Sequence, residues 1–218
     1  MKWTERLDQW IRFLLYVLIF WMPYSKAVIE TSVLMALSLW IVKRIIGFTQ
    51  LDKKERSLLN FMRALRPPHT KLTLPIFIFL GFGLISAVLS DYSAQAIKGL
   101  ICKTSEWFII YFLICESFKN RKHVNIALTV LTVTVVAVAL DSFLQYYITH
   151  RDLFMGRIIS AGGRATGSFE APSSLGAIYT IALPLFIILF LDRTKPVLKR
   201  FFIFLAIFIF IWSMCLSF

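Results

Sequence analysis

Arg157 and Arg164 stand in the segment Gly156-Arg157-Ile158-Ile159-Ser160-Ala161-Gly162-Gly163-Arg164-Ala165-Thr166-Gly167-Ser168-Phe169-Glu170-Ala171-Pro172, which holds four of the chain's nine glycines between two long apolar runs. Gly162-Gly163 allows backbone conformations closed to other residues, Arg164 supplies a permanent fork of donors, and Gly167-Ser168 allows close approach to a ligand. Pro172 and Ser173 then open an apolar helix, so its unpaired N–H groups and positive dipole end point at the same region. Donors arranged this way converge on an anion, and a phosphate suits them. Arg164 is the leading candidate, with Arg157, Gly163, Thr166, Gly167 and Ser168 as further contacts. Composition alone also fits a surface turn with solvated arginines.

The elements around this loop follow from composition. With 58% hydrophobic residues, 21 Phe, 6 Trp and 17% charged residues, the chain lies outside the range of ordinary soluble domains. A helical span takes roughly 20 apolar residues. Unbroken runs such as Phe201 to Trp212 exclude the alternating segments of a membrane β-barrel. The pattern predicts an all-α, polytopic transmembrane helix bundle forming one domain over residues 1–218. Seven spans are expected: about Ile11 to Tyr24, Ala27 to Val42, Leu72 to Leu89, Gly99 to Phe118, Val124 to Ile148, Ser173 to Leu191, and Phe201 onward.

Orientation follows from the basic residues, which are retained on the cytoplasmic side of span ends. With the amino terminus inside, 18 of the 24 Lys and Arg fall in inside segments; the other six are Lys26, Lys98, Lys103, Arg151, Arg157 and Arg164. That places the loop of residues 149–172 outside and a basic loop of residues 43–71 inside. In the latter, Leu58, Leu59, Met62 and Leu65 share a helical face before Pro67-Pro68, the pattern of an interfacial helix over Asp52 to Leu65. The net charge of +12 is accounted for by topology and anionic lipid heads, so membrane lipids are expected partners and nucleic acid is not. Lys2 and Arg6 before an apolar run also fit a secretory signal, but the run's Trp, Tyr and Phe and its direct passage into another span favour a retained one.

Polar residues inside spans need a partner, a cavity or a task. Lys103 and Glu106 are three apart and pair on one helix face or line a polar cavity. Asp141 and Gln145 are four apart at the outer end of the fifth span, followed by Tyr146 and Tyr147; they line a sugar site below the loop or make interhelical hydrogen bonds. Glu30 fits a helix-terminus role. Cys102, Cys115 and Cys215 lie inside spans without metal-ligand spacing and read as packing residues. No acidic cluster resembles a metal site, so neither metal nor cofactor is expected.

Gly163-Arg164-Ala165-Thr166-Gly167-Ser168-Phe169, then Pro172 and the run Leu175-Gly176-Ala177 through Leu183-Pro184-Leu185, resembles the signature before a central span in the O-antigen ligase and polymerase family. That family carries a Gly-Arg-x-Thr-Gly-Thr-Phe type segment, then Asn-Pro-Asn, then a small-residue-rich helix; Ala171-Pro172-Ser173 departs from the asparagines here. The likeness is strongest over residues 156–190. It implies a multi-pass inner-membrane glycosyltransferase of lipopolysaccharide or surface polysaccharide biosynthesis. Such an enzyme moves a glycan from a polyprenyl-diphosphate carrier to an acceptor lipid or glycan on the periplasmic face. Arg164 would then meet the diphosphate, without a metal. Trp212 to Phe218 resembles the helix that leads into the family's Ser-Arg-Gly element, and span seven stops without an anchoring residue, its last carbonyls left to water. The expectation is therefore the amino-terminal part of a longer protein, lacking the family's histidine-bearing outer loop. The competing readings are a transporter or flippase of lipid-linked saccharides, against which stands the absence of internal repeats, and an inactive truncated remnant.

Overall fold

The computed structural model describes residues 2–50, 66, 68–160, 163–169, 171–191 and 196–217. Among them the chain is helical: α1 Lys2–Trp21, α2 Lys26–Thr49, α3 Thr73–Val88, α4 Ser93–Gly99, α5 Ser105–Ser117, α6 Arg121–Leu144, α7 Pro172–Leu191 and α8 Val197–Ser217. A π-helical turn, Leu100–Thr104, fuses α4 to α5, and another, Gln145–Thr149, extends α6. Among the described residues three helices are long and apolar enough to cross a membrane: α2, α6 with its π extension to Thr149, and α7. The apolar helix α3 and the stretch Ile203–Leu216 of α8 are shorter. This is an α-helical chain of membrane-protein type.

Helix boundaries depart from the apolar runs for identifiable reasons. The first helix begins at Lys2, well before Ile11, because its polar opening has Glu5 in the first turn, where an acid complements the helix dipole. It ends at Trp21, whose carbonyl accepts the N–H groups of Tyr24 and Ser25 at 3.0 and 3.1 Å while Pro23 has no N–H to continue the ladder. The fourth run is helical from Ser93, since Ala94, Gln95 and Ala96 favour helix without being apolar enough to register as a span. The expected interfacial helix over Asp52 to Leu65 lies outside the described residues.

The chain divides into two compact units, one of residues through Leu18 with Ala27–Ile126, the other of Ile19–Lys26 with residues from Ala127 on. In the first, Ile11, Leu14 and Leu15 of α1 pack with Ala36 of α2 and Leu113 of α5, and Leu18 packs with Val33 and Ile110. Polar contacts fasten the same helices. Glu116 of α5, 9% exposed, accepts from Trp40 Nε1 at 2.7 Å, from Arg44 Nη2 at 2.7 Å and from Lys43 Nζ at 3.3 Å. Lys43 also reaches Asp8 of α1 at 2.6 Å. A buried carboxylate costs several kcal/mol to desolvate, and here three donors from one helix offset that.

In the second unit Val135, Val138 and Ala139 of α6 meet Leu175, Ile178, Tyr179, Ala182 and Phe186 of α7 and Ala206 and Phe210 of α8. The ring pairs Tyr179 with Phe210 and Phe190 with Phe204 run in opposite directions along the two helices, so α7 and α8 are antiparallel. The buried alanines let helices approach closely, which is how apolar helices associate when water supplies no drive. Large side chains such as Phe82 and Ile181 are exposed at 70% and 76%, as suits helices solvated by hydrocarbon.

Replacing Glu116 with Leu leaves Arg44 and the Trp40 indole N–H without this acceptor and Lys43 with Asp8. The expected outcome is a loss of about 1–3 kcal/mol, read as a lower thermal midpoint of tryptophan fluorescence in detergent, with Glu116→Gln retaining more of the stability than Leu.

Candidate functional site

The Gly/Arg loop is held from below by two side chains of α6. Gln145, fully buried at the first residue of the π turn, uses both ends of its amide. Its Oε1 accepts the backbone N–H groups of Thr166 and Gly167, each at 2.9 Å. Its Nε2 donates to the Arg157 carbonyl at 3.2 Å and to Thr166 Oγ1 at 3.1 Å. Two converging N–H donors dictate which end of the amide is oxygen. One turn earlier Asp141, 1% exposed, accepts the Leu153 N–H at 2.8 Å and the Ser168 hydroxyl at 2.8 Å. The spacing that puts these two residues on one helix face thus serves to bind the loop's own backbone.

The loop has two parts. His150, in the left-handed region at φ 54°, turns the chain out of the π turn into a short hairpin closed by the Arg151–Ile158 bridge. Inside that hairpin Asp152, 3% exposed, accepts the N–H groups of Phe154, Met155 and Arg157. The second part returns over the bundle. Ala165, Thr166, Gly167 and Ser168 are all buried, and the Ala165 N–H donates to the Leu216 carbonyl at 3.0 Å. The Leu216 carbonyl at the end of α8 therefore has a loop partner, where the sequence alone leaves it to water.

The candidate residues separate into two groups. Arg157 is drawn into the fold: its carbonyl accepts from Gln145 and Asp152, its N–H bonds the Asp152 carboxylate, and its guanidinium Nη1 donates to the Ser168 carbonyl. Thr166, Gly167, Ser168, Asp141 and Gln145 join the same buried network. Gly163 and Arg164 are exposed, and among the described residues Arg164 is anchored through its backbone, whose N–H donates to Ser160 Oγ at 3.2 Å and whose carbonyl accepts from Ser160. The loop thus presents the Arg164 guanidinium from a fixed backbone. Gly162 and Glu170 lie outside the described residues.

Gly163 and Gly167 differ in why they are glycine. Gly167 has φ 54°, and a Cβ there would stand 2.6 Å from Ser142 Oγ, so both conformation and space exclude a side chain. Gly163 has φ 72° with open space around it, so only conformation does. Among the other polar residues expected within spans, Glu106 is partly buried and shares a cavity wall with Glu30 and Cys102, while Lys103 is exposed. Cys102 and Cys215 are exposed and Cys115 half-buried, all as free thiols.

No family model, curated protein or solved structure matches this chain.

Sequence reasoning missed Asp152, Ser142 and the Leu216 carbonyl. Asp152 had a usable signal, since an aspartate ahead of a short Gly-containing stretch is the residue that caps its own turn. The other two depend on tertiary approach and carry no local mark.

Replacing Gln145 with Leu orphans the Thr166 and Gly167 N–H groups at about 1–3 kcal/mol each. Trypsin cleavage after Arg157 and Arg164 should therefore accelerate by about tenfold or more, with membrane insertion unchanged. Gly163→Ala should cost about 1–2 kcal/mol, the strain of the left-handed region alone, whereas Gly167→Ala should cost clearly more. Adding Ser142→Ala should recover part of the Gly167→Ala loss and nothing of the Gly163→Ala loss, as measured by thermal unfolding in detergent.

Proposed function

We propose that this chain is an O-antigen ligase or polymerase type glycosyltransferase, transferring a glycan from a polyprenyl-diphosphate carrier to an acceptor sugar hydroxyl. The observation that carries the reading is the presentation of Arg164: an exposed residue whose backbone is held by Ser160, two residues before the Thr166-Gly167 segment clamped by buried Gln145. The loop that carries it leads directly into the amino-terminal end of α7. In the proposed topology α1, α3, α5 and α8 join the three long helices as spans, seven in all, with the amino terminus cytoplasmic in a bacterial inner membrane. The 149–172 loop then faces the periplasm.

The chemistry asks for anion stabilisation. The acceptor oxygen attacks the anomeric carbon, the bond from that carbon to the carrier diphosphate breaks, and negative charge grows on the departing diphosphate oxygen. A guanidinium already in place stabilises that charge through paired, charge-assisted hydrogen bonds and loses little to reorganisation. Arg157, by contrast, keeps the loop in shape; Gln145, Asp141, Thr166 and Ser168 act as positioning residues. The acceptor's proton passes to a general base, which the resemblance assigns to a histidine of a further outer loop.

Arg164→Ala, assayed in membranes carrying the full gene product with polyprenyl-diphosphate-linked glycan and acceptor, should lower transfer by about 10²- to 10³-fold with insertion intact. Arg164→Lys should also be impaired, because an ammonium does not reproduce the fork. Undiminished glycan attachment by the Ala variant would sink the proposal. Movement of the carrier-linked glycan across the membrane without attachment would point to a transporter instead.

A further inference from the structure

The hairpin between α6 and the Arg164 segment has a composition its position in a loop does not explain. Leu153, Phe154, Met155 and Ile158 are exposed at 59%, 54%, 44% and 65%. Residues outside regular structure that face water are usually polar, and four large apolar side chains on one short hairpin form a patch that calls for a cover.

The backbone beneath them says what kind of cover. The N–H of Leu153 is taken by Asp141, those of Phe154, Met155 and Arg157 by Asp152, that of Asp152 by the Arg157 carbonyl and that of Ile159 by the His150 carbonyl. Both carboxylates are themselves buried, at 1% and 3%. A hairpin tip in water has no need of this, because water satisfies its N–H groups. A tip in hydrocarbon does, since each unpaired group there costs several kcal/mol. Tyr147 and Ile148 continue the exposed apolar surface back onto the end of α6, and exposed Arg151 stands at the hairpin's base.

We propose that the hairpin of residues 151–158 is seated in the lipid leaflet adjoining it, with Leu153, Met155 and Ile158 among the acyl chains and Arg151 at the phosphates. It rests on the reading of α6 and α7 as membrane spans, whose connecting loop must emerge at one bilayer surface. The seated tip sets the height of the loop, so that Arg164 stands at the headgroup plane, where the diphosphate of a lipid-linked substrate would lie.

The test uses the full chain with Cys102, Cys115 and Cys215 replaced by Ser or Ala, reconstituted in phosphatidylethanolamine–phosphatidylglycerol vesicles. Single spin labels are placed by Leu153→Cys, Met155→Cys, Ile158→Cys and, as a control on the exposed face of α7, Ile181→Cys. Power-saturation accessibility to oxygen, which concentrates in lipid, is compared with that to a water-soluble nickel chelate. The expected result is an oxygen-to-chelate ratio above unity at all three hairpin positions, as at Ile181. A ratio below unity at the hairpin with a high ratio at Ile181 overturns the seating while leaving the spans intact. Low accessibility to both reagents at the hairpin also overturns it, in favour of a covering protein surface. Chelate access at Ile181 overturns the span reading and the seating with it. All four positions are exposed, so the labels leave the packing undisturbed.

Discussion

A single carboxamide carries the architecture of the loop. The side chain of Gln145 meets the backbone of both loop segments, donating to Arg157 on one and accepting from Thr166 and Gly167 on the other. Polar groups of a loop that crosses the end of an apolar bundle must be paired inside the protein, and a neutral amide does this with donors and acceptors both, at no cost of burying charge. Its site in the helix matters too. The α-helical ladder of α6 gives way to the π turn at this residue, an irregularity frequent at functional positions.

That clamp explains how two arginines of one motif come to differ. A guanidinium placed against a carbonyl of its own loop is a strut, and Arg157 is used that way. Arg164 follows Gly163 through a left-handed turn, which turns the backbone so that its own N–H and carbonyl satisfy Ser160. Among the described residues the Arg164 side chain is left exposed. Chemistry at a membrane surface needs such a division, since a group that holds the loop in shape is not also free to meet a ligand.

Much of this was legible in the residues, and unevenly. Apolar runs mark helices because a chain in hydrocarbon has few other ways to pair its backbone, so α2, α6 and α7 emerge close to their runs. Their ends are set by local polarity and proline, which is why α1 and the helix leading into α5 start earlier than hydropathy alone indicates. Asp141 and Gln145 stand out as polar residues on one helix face, and in the structure both bind the loop rather than a neighbouring helix. Their partners did not stand out, because backbone N–H groups are the same in every residue. Glu116 shows the converse: its cations Lys43 and Arg44 looked like topology markers at a helix end, and only the approach of α2 to α5 within the first unit turns them into a network.

The hydrogen bond from the Ala165 N–H to the Leu216 carbonyl joins the loop to the last turn of α8. A ribosome releases the loop before α8, with all of α7 made in between. The segment beside Arg164 thus waits, with a donor unsatisfied, until α8 arrives, and the loop acquires its final shape only when the helical hairpin behind it is complete. Maturation of the Arg164 loop is in this sense timed by synthesis of the helices that follow it.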